Sequence, residues 1–150
     1  MSISIKFKKL TPEAKLPTKG RPGDAAYDLY CVSEVFLYPN QTVKVGTGLA
    51  LADMPLEDGP DLLFLQIEGR SGVALNGIYP LGGIIDATYR GEIMVILQMS
   101  GEGSGGQRFK PGDRIAQMIV RRTPKDVLIE EAEDVTETSR GAAGFGSTGA

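Results

Sequence analysis

Residues 82–92 read GGIIDATYRGE, in a chain of 150 residues that contains no histidine. A general base must then come from a carboxylate, a lysine, a tyrosine or the single cysteine. Asp86 has the local surroundings best suited to that work. It is a lone carboxylate two residues from Thr88 and three from Tyr89, set in a β-like apolar run between glycines. Cys31 is a much weaker candidate, because no imidazole exists to activate a thiol. It reads as a small, half-buried structural residue.

Two further segments carry anion-binding ingredients. Gly69-Arg70-Ser71-Gly72 places an arginine and a hydroxyl between glycines at the mouth of a possible helical turn over 71–75. Backbone N–H groups at such a place point outward, and glycine lets an anion approach closely. The competing reading is an N-capping serine beside a surface arginine. Residues 140–149, RGAAGFGSTG, repeat the mixture of arginine, glycine and hydroxyls and add Phe145, which could stack on a base. The competing reading is a disordered tail, against which the placement of Arg140 and Phe145 speaks. Asp28 in PGDAAYDL falls at a strand start, and Gln117 in GDRIAQ falls on a strand after a turn. Taken singly, Asp28 reads as an ion-pair partner and Gln117 as a satisfied polar group. Residues 101–106, GEGSGG, match a dinucleotide-binding spacing but run into QRFKPGDR, where Pro111 forbids the helix that such a fingerprint opens. A hairpin loop is the better reading. No GxxxxGK[ST] sequence occurs, and a Cys/His metal cluster cannot be built.

These residues must be positioned by β-structure. Short runs rich in Val, Ile, Leu and Phe predict strands at 2–8, 35–38, 42–51, 62–67, 92–99, 114–120 and 127–131, with turn signals at 22–24, 38–40, 57–60 and 110–113. Many short strands between Gly/Pro turns argue for an all-β sandwich or jelly-roll barrel. The length suits one domain with a real core. Residues 138–150, TSRGAAGFGSTGA, lack apolar periodicity and cannot hold a fold alone. A domain over 1–137 with an arm over 138–150 is the expected organisation. The net charge of −3 disfavours broad binding of nucleic acid. No apolar run approaches the roughly 20 residues of a membrane span, and the N-terminus lacks a signal-peptide h-region. One cysteine cannot form an internal disulfide, which fits a reducing compartment such as the cytoplasm, or a host cytoplasm for a viral protein.

Taken in chain order, the five segments around Asp28, Arg70, Asp86, Gln117 and Arg140 resemble the five motifs of the trimeric dUTPases, and the resemblance spans residues 23–149. Its most specific parts are GIIDATYRGE, GDRIAQMI and RGAAGFGSTG. The resemblance implies a distorted β jelly roll that forms a homotrimer, with a glycine-rich C-terminal arm swapped onto a neighbour. Each active site would take the first, second and fourth motifs from one subunit, the third from another and the fifth from the remaining one. An arm that cannot fold alone could order over a neighbour's ligand, with contacts to phosphate and base offsetting the entropy.

The implied reaction is hydrolysis of dUTP to dUMP and diphosphate, which limits uracil incorporation into DNA and supplies dUMP for dTMP synthesis. Asp86 would orient and deprotonate the water that attacks the α-phosphorus in line. An ordinary aspartate is a feeble base at neutral pH, so positioning and charge neutralisation would supply most of the acceleration. Mg2+ would bridge the phosphates, reached by Asp28 through waters. Arg70, Ser71 and Gly72 would grip the phosphate chain, and Gln117 would lie near the α-phosphate. Arg140, Gly146, Ser147 and Thr148 would close over the γ end, while Phe145 stacks on uracil. Backbone groups of Gly83, Ile84 and Ile85 would pair with uracil and leave no room for a 5-methyl group. Tyr89 would pack on the deoxyribose and exclude a 2′-hydroxyl. A site built to pair its polar groups can reject a mismatched base by about 10⁴ or more.

The sequence departs from the family pattern at Ala26 and Ala143, where glycine is usual, and at Gly69, where proline is common. Tyr79-Pro80-Leu81 is an unusual lead-in to Gly82-Gly83, and the segment 56–61 is long. Two other functions fit a scaffold of this kind. A dCTP deaminase, or a bifunctional relative, would use a glutamate at the base, whereas this chain has Asp-x-x-Tyr-Arg-Gly and the full fifth motif. A regulatory, phage-type role on partner proteins could be added to catalysis.

Overall fold

The computed structural model describes residues 2–101 and 105–146, and those residues form an almost wholly antiparallel β-structure. Its elements are β1 (Lys6–Lys9), β2 (Tyr27–Tyr30), β3 (Val35–Leu37), β4 (Thr42–Asp53), β5 (Glu57–Asp58), β6 (Asp61–Glu68), α1 (Ser71–Ala74), β7 (Ile78–Leu81), β8 (Ile84–Asp86), β9 (Glu92–Met99), β10 (Gln107–Phe109) and β11 (Arg114–Pro124). One sheet runs β1-β4-β9-β7 and the other β2-β11-β6-β5, with β8 also on β6 and a small β10-β3 pair between turns. This is the expected all-β jelly roll.

Alternation along the strands builds the core. β9 buries Ile93, Val95, Leu97 and Met99 at every second position, and β6 does the same with Leu63, Leu65 and Ile67. Period-two patterning sends these side chains to one face of each sheet. With Leu29, Leu37, Leu51 and Ile115 they form one contiguous cluster. β4 is the longest strand, and its register against β9 shifts between Gly46 and Ala50. Gly48 makes that bulge possible. Its φ is +67°, and a Cβ there would stand 2.7 Å from Val32 Cγ1.

The structure moves several expected boundaries. The first strand begins at Lys6 and not at Ser2, although Ile3 and Ile5 still pack on the core. Residues 127–131 form no strand, which corrects the sequence expectation: no neighbouring strand pairs them, and Val127, Leu128 and Ile129 are 62%, 80% and 91% exposed. β7 was masked in the sequence by Pro80. It lies at the edge of its sheet, pairing among the described residues only with β9, where a missing N–H is tolerated. The long segment 56–61 is the β5–β6 hairpin, closed at Gly59 (φ +62°) and tied to β11 by the Arg122–Asp58 pair and to the residue just after β11 by Lys125–Glu57 at 2.8 Å. No helix among the described residues is long and apolar enough to cross a membrane.

Candidate functional site

Three of the singled-out segments meet at one end of the second sheet. Asp28 on β2 stands opposite Gln117 on β11, which stands opposite Glu68 on β6. The chain leaves β6 through Gly69 and Arg70 into α1. Arg70 Nε donates to Asp28 Oδ1 at 2.8 Å, and Arg114 Nη1 lies 3.6 Å from Asp28 Oδ2. Gln117 Nε2 donates to the Gly69 carbonyl at 2.7 Å. Sheet register thus brings together Asp28, Arg70 and Gln117, which are far apart in sequence. The Asp28 and Arg70 side chains are 13% and 26% exposed, so their charge-assisted bond is partly shielded from solvent.

Ser71 does not cap the helix. Arg70 occupies the N-cap position with extended backbone and no side-chain cap bond, which leaves the Ser71 hydroxyl outward. Gly72 is exposed, and a Cβ added there would meet nothing within 4 Å. Packing within this chain therefore gives no reason for a glycine at 72, whereas backbone approach by a ligand would. Arg114 belongs to this cluster and was not singled out from the sequence. Its signal was present in GDRIAQ, three residues before Gln117, where a bulge in the β11–β2 register turns it toward Asp28.

The third segment forms a separate surface. β8 pairs with β6 through Ile84↔Gln66, Ile85↔Leu65 and Asp86↔Phe64. The Ile67 N–H donates to the Gly83 carbonyl at 2.7 Å, and a Cβ at Gly83 would lie 2.5 Å from the Ile67 oxygen. Only glycine fits so close to the neighbouring backbone. Antiparallel alternation then turns the Ile85 backbone toward β6 and the Ile84 N–H and C=O toward the outer edge. No other strand among the described residues covers that edge. Of the three expected backbone contacts, Gly83 and Ile85 are committed to β6 and Ile84 is presented outward, with its side chain 60% exposed.

Asp86 ends β8, exposed, and its carboxylate has no hydrogen-bond or ion-pair partner among the described residues. A turn follows in which the Tyr89 N–H donates to the Asp86 carbonyl at 3.0 Å, and Arg90 Nη1 donates to the carbonyls of Ala87 at 2.6 Å and Tyr89 at 3.1 Å. Two shallow clefts flank Asp86. One, of about 200 Å³, is lined by Gly82, Ile84, Ile85, Asp86, Tyr89, Glu92 and Met94. The other, of about 380 Å³, is walled by Leu56, Leu63, Phe64 and Thr123 among others. Neither contains Asp28, Arg70 or Gln117. A larger groove of about 610 Å³ lies away from both surfaces, against Ile3, Ile5, Phe7, Tyr27, Met118 and Val120, and holds none of the expected site residues.

As far as Gly146, the last segment is mostly exposed and folds on itself in local turns. Arg140 Nε donates to the Ala143 carbonyl at 2.9 Å, Phe145 is fully exposed, and Phe145 and Gly146 both have positive φ. Ser147 and Thr148 lie outside the described residues. Cys31 is buried, with its thiol donating to the Lys110 carbonyl at 3.0 Å. Burial pushes its pKa up, since the thiolate would lose its solvation. The half-burial expected from sequence is exceeded, and the residue is structural.

No group of three or more His, Cys, Asp or Glu residues among the described residues could hold a metal by itself. Each Asp28 oxygen accepts one contact from a guanidinium and keeps a lone pair. That donor set suits a hydrated ion held mainly by a ligand's phosphates, the habit of Mg2+.

A family model described as dUTPase matches residues 12–149. A deoxyuridine 5'-triphosphate nucleotidohydrolase of Wolinella succinogenes is 45% identical, covering 98% of this chain and 95% of that protein. A variant dUTPase of Staphylococcus bacteriophage 80alpha, solved with dUpNHpp, superposes with a TM-score of 0.78 at 26% identity, covering 98% of this chain and 99% of that one. A variant dUTPase from phage phi11 of S. aureus, described with a structural Mg(II) ion, gives a TM-score of 0.66 at 22% identity, covering 91% and 99%.

Proposed function

The chain belongs to the dUTPase family, and from that premise we propose that it hydrolyses dUTP to dUMP and diphosphate through water attack on the α-phosphorus. The observation that carries the mechanism is Asp86. It is a charged side chain exposed at the open edge of β8, unpartnered among the described residues and next to the outward-facing Ile84 backbone. Ile84 N–H and C=O can pair with the edge of uracil, as a strand would pair with β8. The Tyr89 ring walls the same cleft and would face the deoxyribose. Asp86 then orients a water molecule on the α-phosphorus and takes its proton. The new P–O bond forms as the bridging bond to the β-phosphate breaks, and diphosphate leaves with that electron pair.

Arg70, the Ser71 hydroxyl and the Gly72 backbone would grip the phosphate chain, with Gln117 beside the α-phosphate. The anchoring of Arg70 by Asp28 presents its remaining donors outward without further ordering. Mg2+, when bound, would neutralise charge across the phosphate oxygens, and Asp28 would hold it through water. The phosphate cluster and the Asp86 cleft are distinct surfaces of one chain, which supports a homotrimer in which neighbours supply complementary halves. Exposed Val127, Leu128, Ile129 and Val135 support the same reading, since such side chains become buried when copies associate. The arm over 138–150 would close a neighbouring site through Arg140, Phe145, Gly146, Ser147 and Thr148. Free, buried Cys31 accords with a cytoplasmic location.

Diphosphate release from dUTP, measured beside dCTP, dTTP and UTP with and without Mg2+, tests the assignment. Selective turnover of dUTP to dUMP is expected. Ammonia release from dCTP would replace the reading with a deaminase.

A further inference from the structure

Glu92, the last residue of GGIIDATYRGE, has no part in the scheme so far, yet it joins the exposed turn to the buried frame. It opens β9, is half-buried and lines the cleft with Asp86 and Tyr89. Its backbone carbonyl accepts the Tyr89 hydroxyl at 3.1 Å. Its carboxylate Oε1 accepts the Gly48 N–H at 2.9 Å. Gly48 sits in the β4 bulge, which is held firmly. Thr47 is fully buried and donates to the Ile93 carbonyl at 2.7 Å, and the Gly48 carbonyl accepts the Leu10 N–H at 2.7 Å.

The turn itself is pressed tight. A Cβ at Gly91 would stand 2.4 Å from the Tyr89 oxygen, so the ring lies directly against the backbone leading into Glu92. The position of the ring therefore depends on where Glu92 is held. Glu92 is in turn held at a bulge with little freedom to move.

We propose that Glu92 is a positioning residue for sugar selection: its carboxylate, fixed on the Gly48 N–H, sets the carbonyl that receives the Tyr89 hydroxyl, and so places the ring where a 2′-hydroxyl is excluded. The proposal rests on the reading of Tyr89 as the wall against deoxyribose. An aromatic wall discriminates one hydroxyl only if its distance is set to a fraction of an ångström, and small misplacements are costly in such sites.

The test is the ratio of kcat/KM for dUTP to that for UTP in the full-length protein with Mg2+. It is measured for Glu92→Ala, Glu92→Gln, Tyr89→Phe and the Glu92→Ala/Tyr89→Phe double variant, each shown folded by its melting temperature. Glu92→Ala and Tyr89→Phe should each lower the preference for dUTP about fivefold, the equivalent of one ordinary hydrogen bond. The double variant should lose little more than either alone, because both break one tether. Glu92→Gln keeps the accepting oxygen and should restore the preference to within about twofold of the parent.

If Glu92→Ala does not fold, Gly46→Ala carries the test. A Cβ there would lie 2.8 Å from Glu92 Oε1 and push the carboxylate aside while Glu92 remains. An unchanged preference in folded Glu92→Ala or Gly46→Ala, or fully additive losses in the double variant, overturns the proposal. Tyr89→Ala separates the two readings. If it admits UTP while Glu92→Ala does not, the tether alone is wrong; if Tyr89→Ala leaves sugar preference unchanged, the role of Tyr89 fails and the tether with it.

Discussion

Arg70 Nε lies 2.8 Å from Asp28 Oδ1, joining β2 to the loop that leaves β6. The pair spans 42 residues of sequence and is more shielded than any other ion pair among the described residues. It would make Asp28, beside its proposed part at the metal, the anchor of the arginine proposed to hold phosphate. Asp28→Ala should therefore raise KM for dUTP about tenfold or more by freeing Arg70, and cost about 1–3 kcal/mol of stability through the lost charge-assisted bond. Steady-state kinetics and denaturant titration measure the two effects. Parent-like values of both would show the pair to be incidental.

Asp86→Asn should bind nucleotide as tightly as the parent and turn over about 10²–10⁴ times more slowly, the usual worth of a positioned acid–base group. Exposed and unpartnered among the described residues, the side chain should contribute little to stability. Calorimetric titration with a non-hydrolysable dUTP analogue and single-turnover kinetics separate binding from chemistry. Normal turnover would remove Asp86 from the role of base.

Truncation before Arg140 should leave the melting temperature within a few degrees of the parent, since the arm's hydrogen bonds are local to it. Activity should fall nearly to zero. Sedimentation should give three times the chain mass in both forms, with the full-length chain at 16.0 kDa and the truncated one correspondingly lighter. Efficient hydrolysis by a species of single-chain mass would refute the shared site.

Cys31 should resist alkylation at neutral pH and react fully once the protein is unfolded. Burial raises its folded pKa above the unfolded value, so the folded state retains a proton that the unfolded state releases. That contribution to stability is complete below the unfolded thiol pKa, about 8.5, and is lost as pH rises beyond it. Melting temperature should drop more between pH 8 and pH 10 for the parent than for Cys31→Ala. Equal slopes would show that the buried thiol does not govern alkaline stability.

β6 and β9 were legible in the sequence because each buries one face at period two, and β4 and β11 because their apolar runs are long; all four fall within a few residues of their expected limits. β10 was not, because three residues, QRF, are too few to show a period. β7 was hidden by Pro80, whose edge position only topology reveals. The apolar run at 127–131 misled in the opposite direction. Its composition suits a strand, but strand formation needs pairing, and no strand among the described residues pairs with it. Asp86, Tyr89, Arg70 and Gln117 stood out by residue type. Arg114 and Glu92 did not, because their roles are set by what a bulge turns them toward.

The uncovered outer edge of β8 carries a risk as well as a function. Unpaired N–H and C=O groups recruit any passing strand, and proteins commonly guard such edges with charge. Asp86 stands on that rim, where its carboxylate would have to be desolvated before another chain could zip alongside. One side chain would then serve both reactivity and colloidal good behaviour. Neutralising it risks clumping as well as inactivity, and a saturating nucleotide should shield the rim even when the acid is gone.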